Sequence, residues 1–185
     1  MPLHGLNRYG ISRERGFLSD YEIDTVTLPD DFREVEHAAD DLPALLTSGR
    51  GRSWLEQLPT PDAGALVDLV ALGEQAVLRT AMIRYSFLVH AYVWGEATVP
   101  AALPANLAVP LVTLADAIGI PPVLNYAGYV LDNWRRLDKA GPIALDNIAM
   151  HQNFAGGQDE NWFVLVHVAI EAAAGGASTR SSARG

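Results

Sequence analysis

The stretch His90–Trp134 reads HAYVWGEATVPAALPANLAVPLVTLADAIGIPPVLNYAGYVLDNW, and its punctuation predicts helices separated by sharp joints. His90 to Gly95 closes a long helix, with Gly95 as the residue free to turn left-handed after it. Pro104, Asn106 and Pro110 open the next helix, because a proline's missing N–H is tolerated in or beside a first turn. Gly119 ends that helix, and Pro121-Pro122 forces a corner before a third begins. The expected fold class is therefore all-α.

Upstream, Asp30 or Asp31 caps a helix from Phe32 to about Thr47, which Pro43 breaks or kinks. Gly49 and Gly51 end it, and Ser53 caps a short helical turn carrying Trp54 and Leu55. Thr60-Pro61-Asp62 starts a helix expected to run through to Trp94, with Leu66, Val70, Val77, Ala81, Leu88 and Tyr92 along one seam. Gly73 inside it costs about 1 kcal/mol against alanine. The last turns are apolar nearly all round, so His90 reads more readily as a hydrogen-bonded core histidine than as a ligand. Residues 1–30 form an arm expected to lie on the body by Ile11, Phe17 and Leu18.

Downstream, Arg135 to Asp138 reads as a solvated helix end, and Pro142 to Phe154 as irregular with room for a short strand. Asp159 is the expected cap of a last helix that Gly175-Gly176 terminates. From Trp162 to Ala174 its only polar side chains are His167 and Glu171. A helix apolar on every side belongs in the middle of something. This one is too short to span a bilayer. After it comes a Ser/Arg/Gly tail, 177–185, with the composition of disorder. The helix is thus expected to be covered by a second polypeptide or a second copy.

Composition narrows the function. Hydrophobic residues make up 49% of the chain, which fits either apolar surface meant for a partner or an alanine-rich helical protein. A net charge of −9 argues against nucleic acid or an anionic membrane as partner. With no cysteine, disulfides and thiolate ligation of metal or haem are excluded. Residues 1–17 carry no long apolar core, so the cytoplasm is the expected compartment. No phosphate loop, nucleophile elbow or metal-spaced cluster of His, Asp and Glu occurs.

The order AYVWG, LPxNLAVP, PPVLxYAxxVLxNW resembles the indoleamine 2,3-dioxygenases, haem enzymes that open the indole ring of tryptophan. The N-terminal YxxSxERGFL run (Tyr9 to Leu18) and DNIAMHQNFAGGQDENWFVLVHVAIEAAA extend the likeness over residues 9–174. The resemblance implies a small helical domain at 31–118 and the first helices of a larger haem-binding domain at 119–176. It further implies haem b as cofactor, with an indole and O2 as substrates. Tyr126, Tyr129 and Val130 match one helix of the family's distal wall; Phe163 and Val164 match the next, although the second position is often aromatic in the family. His167 falls where these enzymes commonly carry serine, and resembles instead the histidine that tryptophan 2,3-dioxygenases place near the indole N–H. It is the candidate catalytic residue, able to accept that N–H or to polarise oxygen when neutral; the plainer role is a bond to the carbonyl four residues back.

The likeness covers only the first, smaller part of a family chain. None of His4, His37, His90, His151 and His167 matches the proximal histidine that binds iron in the family. The chain is therefore expected to be a truncated member, supplying the small domain and the distal wall while another polypeptide supplies the iron ligand. The alternatives are a catalytically silent helical fragment or interaction subunit, and a helical module taking haem loosely through His167 or His151.

Overall fold

The computed structural model describes residues 10–181, with side chains through residue 175. Tyr9 and the tail residues 182–185 lie outside the described residues. The order of elements is α1 (Arg33–Asp40), α2 (Leu42–Thr47), α3 (Gly51–Leu55), α4 (Ala63–Leu72), α5 (Gln75–Trp94) and α6 (Ala105–Ile118). A single π-helical turn (Ala127–Leu131), strands β1 (Trp134–Arg136) and β2 (Ile148–Met150), and α7 (Gln158–Ser181) follow. The fold is mainly helical, as the periodicity predicts.

Helix α5 is the axis, packed by α6, α1 and α3. Leu78, Ala81, Tyr85, Phe87, Leu88 and Ala91 are buried on its successive faces, and Phe32, Val35, Leu55, Leu107 and Leu114 close over them. Pro43 does separate two helices: α1 ends at Asp40, and the proline falls in the first turn of α2. The expected continuous helix from Pro61 to Trp94, by contrast, is two. Gly73 takes φ 65° and caps α4, donating its N–H to Val70. A glycine that looks costly mid-helix is here the cheapest left-handed stop. Asp62, not Thr60, caps α4, its carboxylate accepting from the N–H of Gly64 at 2.7 Å. Gly95 is not left-handed after α5; its φ is −71°. Glycine is required there by contact, since a Cβ would sit 2.4 Å from the Ala91 carbonyl.

Helix α6 keeps Pro110 inside rather than at its start, and ends on Gly119 with φ 77° as expected. After Pro121-Pro122 the third helix shrinks to the π turn, marked by the Asp132 N–H donating to Ala127 at 2.9 Å. The expected solvated helix end at Arg135 is corrected outright: Trp134 to Arg136 is a strand, antiparallel to Ile148–Met150. Arg136 is not solvated, because its Nε and backbone N–H bind the buried Glu22 carboxylate at 2.7 and 2.8 Å. That partner is more than a hundred residues away, so no local pattern shows it.

A second core of Leu18, Val130, Trp134, Ile148, Met150, Val164 and Val168 forms under the strands. Of the arm residues expected to dock, Leu18 is buried there but Phe17 is exposed. Helix α7 starts at Gln158, so Asp159 is not its cap. Glu160 instead accepts from the N–H groups of Phe154, Ala155 and Gly156 at 2.7 to 3.0 Å. Nor do Gly175 and Gly176 end it, since the helix runs to Ser181 and the expected disordered tail begins inside it. Gly175 is buried beneath the arm, where a Cβ would lie 2.6 Å from Gly16 N and 2.7 Å from two arm carbonyls. The glycine allows backbone to approach backbone.

Arg84 stitches the two cores together. It reaches Asp40 of α1 at 2.8 Å, His151 at 2.8 Å, and Gln152, which in turn donates to the Ala39 carbonyl.

Candidate functional site

The candidate residues come from two elements that the second core holds side by side. Tyr126 precedes the π turn and Tyr129 lies within it; Phe163 and His167 are one turn apart on α7. Tyr126 meets His167 edge-on at 6.1 Å between ring centroids, and Phe163 lies 4.6 Å from the same imidazole. Tyr129 bridges Phe163 at 6.2 Å and Phe154 at 6.2 Å. Phe154 continues to Phe87 at 4.5 Å and to His90 at 6.5 Å. The result is a continuous aromatic face from His167 to His90.

This face is open. Phe163 is 50% and Tyr126 47% exposed, large apolar surfaces to leave in water. Val130 and Val164, named with them from the sequence, are packed away at 0% exposure and back the wall rather than face it. Their neighbours in sequence point outward because a helix turns about 100° per residue.

His167 makes the bond that the plainer role foresees: its Nδ1 lies 2.5 Å from the Phe163 carbonyl. The carbonyl accepts only, so Nδ1 carries a proton, and in the neutral imidazole Nε2 is then the acceptor nitrogen. The backbone bond and the wall role are thus compatible, and the first sets the tautomer for the second. His90 repeats the device, with Nδ1 2.9 Å from the Ser86 carbonyl. His151 does not belong to this face. Burial, reinforced by the adjacent Arg84 guanidinium, pushes its pKa down to about 4. Its Nε2 lone pair is engaged by Arg84, so it is a poor candidate for the ligand role considered for it.

Against this geometry, the family model described as indoleamine 2,3-dioxygenase matches residues 5–180. The chain belongs to the indoleamine 2,3-dioxygenase family. It is similar to indoleamine 2,3-dioxygenase 1 of Rattus norvegicus, 34% identical over 171 residues, which are 91% of this chain and 40% of that protein. Indoleamine 2,3-dioxygenase of Saccharomyces cerevisiae is 35% identical over 176 residues, covering 92% of this chain and 38% of the yeast protein. A protein named myoglobin from Haliotis diversicolor is 30% identical over 168 residues, covering 90% and 40%. The chain thus spans about two fifths of the length of these relatives. No helix among the described residues is long and apolar enough to cross a membrane.

Two members of the family chain's aromatic face, Phe154 and His90, were not singled out as site residues by sequence. Phe154 sits in an irregular segment with no periodicity to place it. The one available signal was Glu160, whose carboxylate gathers the N–H groups of 154–156 and so fixes where that ring goes.

Proposed function

We propose that this chain supplies the small helical domain, residues 31–118, and the distal wall, within 119–176, of a cytoplasmic haem-dependent dioxygenase. The reaction would cleave the C2–C3 bond of the indole ring of L-tryptophan, both atoms of O2 entering the product, N-formylkynurenine. The observation that carries this reading is the open face of Tyr126, Tyr129, Phe163 and His167 in a chain of this family.

The face fits one side of a porphyrin pocket: it is broad, largely aromatic and apolar, and carries the His167 imidazole between Tyr126 and Phe163. Bound haem would supply the iron that takes up oxygen and performs the redox chemistry. The chain's own part is positional. Tyr126 and Phe163 would hold the indole flat and keep water out; Val130 and Val164 keep those rings from sinking inward. His167 Nε2 would accept the indole N–H, its lone pair held available by the Nδ1–H donated to Phe163. The iron's ligand is assigned to polypeptide matching the remaining length of the relatives, which would also cover the outer side of α7.

Haem titration tests this. The expected result is a Soret band and tryptophan turnover when the chain is mixed with the complementary polypeptide of a relative. His167→Ala should lower turnover at least tenfold while leaving the iron's spin state unchanged. Absence of any Soret shift, with or without that polypeptide, removes the proposal. The similarity to a protein named myoglobin favours a second reading, reversible oxygen binding without chemistry. A complex that takes up oxygen but forms no product from tryptophan would select it.

A further inference from the structure

Two recesses adjoin at the C-terminal end of α5. The larger, of about 280 Å³, is lined by Leu46, His90, Ala91, Trp94, Gly95 and Phe154. The other, of about 210 Å³, shares His90 and Phe154 with it and adds Leu124, Asn125, Tyr126 and Tyr129. In the larger one every lining side chain except His90 is apolar.

The end of α5 makes this hollow. Helix α2 brings Leu46 so close to Gly95 that a Cβ there would stand 2.6 Å from the leucine side chain. Ala91 and Gly95 carry little or no side chain to fill the space, and Trp94 and Phe154 supply its rings. Trp94 is 68% exposed, the barest large apolar side chain among the described residues. Such a ring beside an apolar hollow marks a surface that gains by being occupied.

His90 gives the recess its one polar feature. The Ser86 carbonyl accepts only, so Nδ1 carries a proton, and in the neutral imidazole Nε2 is the acceptor nitrogen. Nε2 has no partner among the described residues. It is not sealed in the core as the unpartnered Thr80 and Tyr85 hydroxyls are, but keeps contact with solvent. The recess holds neither a carboxylate for a cation nor a cationic Lys or Arg for an anion. An apolar, ring-lined hollow with one acceptor suits a flat neutral molecule bearing one donor. Among neutral donors an aryl O–H, being the most acidic, makes the strongest bond to an imidazole nitrogen.

We infer that the recess of Leu46, His90, Trp94 and Phe154 is a binding site for a neutral phenol of one or two fused rings, its O–H donated to His90 Nε2. The site is separate from the proposed substrate face, since neither Phe163 nor His167 lines it. It adjoins that face through His90 and Phe154, whose rings lie 6.5 Å apart and border both recesses.

The probes are 2-naphthol and 2-methoxynaphthalene, which share their rings and differ in the donor. They are titrated at mildly alkaline pH into the whole 15N-labelled chain without haem. Saturable amide shifts are expected at Leu46, Gly95 and Phe154. Naphthol should bind about fivefold more tightly, or better, which is one net hydrogen bond of about 1 kcal/mol, although the ether is the more hydrophobic. In His90→Phe, which keeps a ring and loses the acceptor, that preference should vanish. Trp94→Ala, on an exposed side chain whose loss spares the core, should weaken both probes severalfold. Equal affinities in the unaltered chain, a naphthol preference that survives His90→Phe, or affinities unchanged in Trp94→Ala would each overturn the inference. Shifts confined to Tyr126, Phe163 and His167 would do the same. If His90→Phe does not fold, the Trp94→Ala titration decides alone. Haem is absent from the experiment, so failure here leaves the dioxygenase reading standing, and the reverse.

Discussion

Helices α5 and α7 are written alike and end up differently. Each is apolar on nearly every side, and each carries histidine whose Nδ1 is tied to the carbonyl one turn back. Yet α5 is wrapped by α6, α1 and α3, while among the described residues α7 is packed chiefly by β2, the π turn and the N-terminal arm. On α7, Val164 and Val168 are enclosed and Trp162, Phe163 and Ile170 are bare. An all-round apolar helix is therefore a demand for neighbours, and it does not say whether this chain supplies them. Where it does, the helix is core; where it does not, the uncovered side is the place to look for a ligand or partner.

The contrast can be broken at its strongest point by Phe87→Ala. Phe87 is fully buried in α5 against Phe154 and Tyr129, so urea unfolding should show a loss of about 3–5 kcal/mol. A loss under 1 kcal/mol would mean that α5 is not the core.

Where α7 is covered, at the arm, Gly175→Ala should cost about 1–3 kcal/mol, because the new methyl collides with backbone that has no rotamer to change. Hydrogen exchange at the Ser12 and Gly16 amides should accelerate in the same variant, since those two residues bond to each other in the arm.

The seam between the cores should be pH-sensitive. Native His151 stays neutral down to about pH 4, whereas the unfolded chain protonates it near its ordinary value of 6.5. The unfolded state therefore binds the extra proton, and stability that is full above pH 6.5 declines as pH falls toward 4, by about 2–3 kcal/mol. Glu22, held down to about 2 by Arg136 and Lys139 despite its burial, extends the decline below pH 4.5. His151→Gln, which keeps an acceptor for Arg84 but cannot titrate, should flatten the upper window in denaturation curves.

Least of all in stability, Phe163→Ser on the open face should move unfolding by no more than about 0.5 kcal/mol. Dye binding to exposed apolar surface should nevertheless drop. A stability loss comparable with Phe87→Ala would show that the face is already covered.

Local signals carried much of this. Proline and glycine punctuation placed the joints at Pro43, Gly119 and Pro121-Pro122, and the apolar run at Trp162 announced a helix wanting company. The same signals misled where a distant partner decided the outcome. Gly175 resembled a stop, but Gly16 and the arm carbonyls make it a contact point inside a helix that continues. Arg135-Arg136 resembled a solvated end, but Glu22 and the β2 strand draw it into a sheet. Of the candidate residues, Tyr126, Tyr129, Phe163 and His167 came from family resemblance, whereas Phe154, which the structure sets beside Tyr129, belongs to no periodic pattern.

By itself the sequence determined the helical class, the family, and which residues of α7 and the π turn bear rings and an imidazole. These follow from side-chain chemistry and short-range spacing, which the chain carries wherever it goes. Only the tertiary structure decided which side of α7 is bare, which nitrogen of His167 is tied to the backbone, and that Glu22 captures Arg136. Each of those depends on groups brought together across long intervals of chain, and burial and hydrogen-bond geometry exist only once they meet.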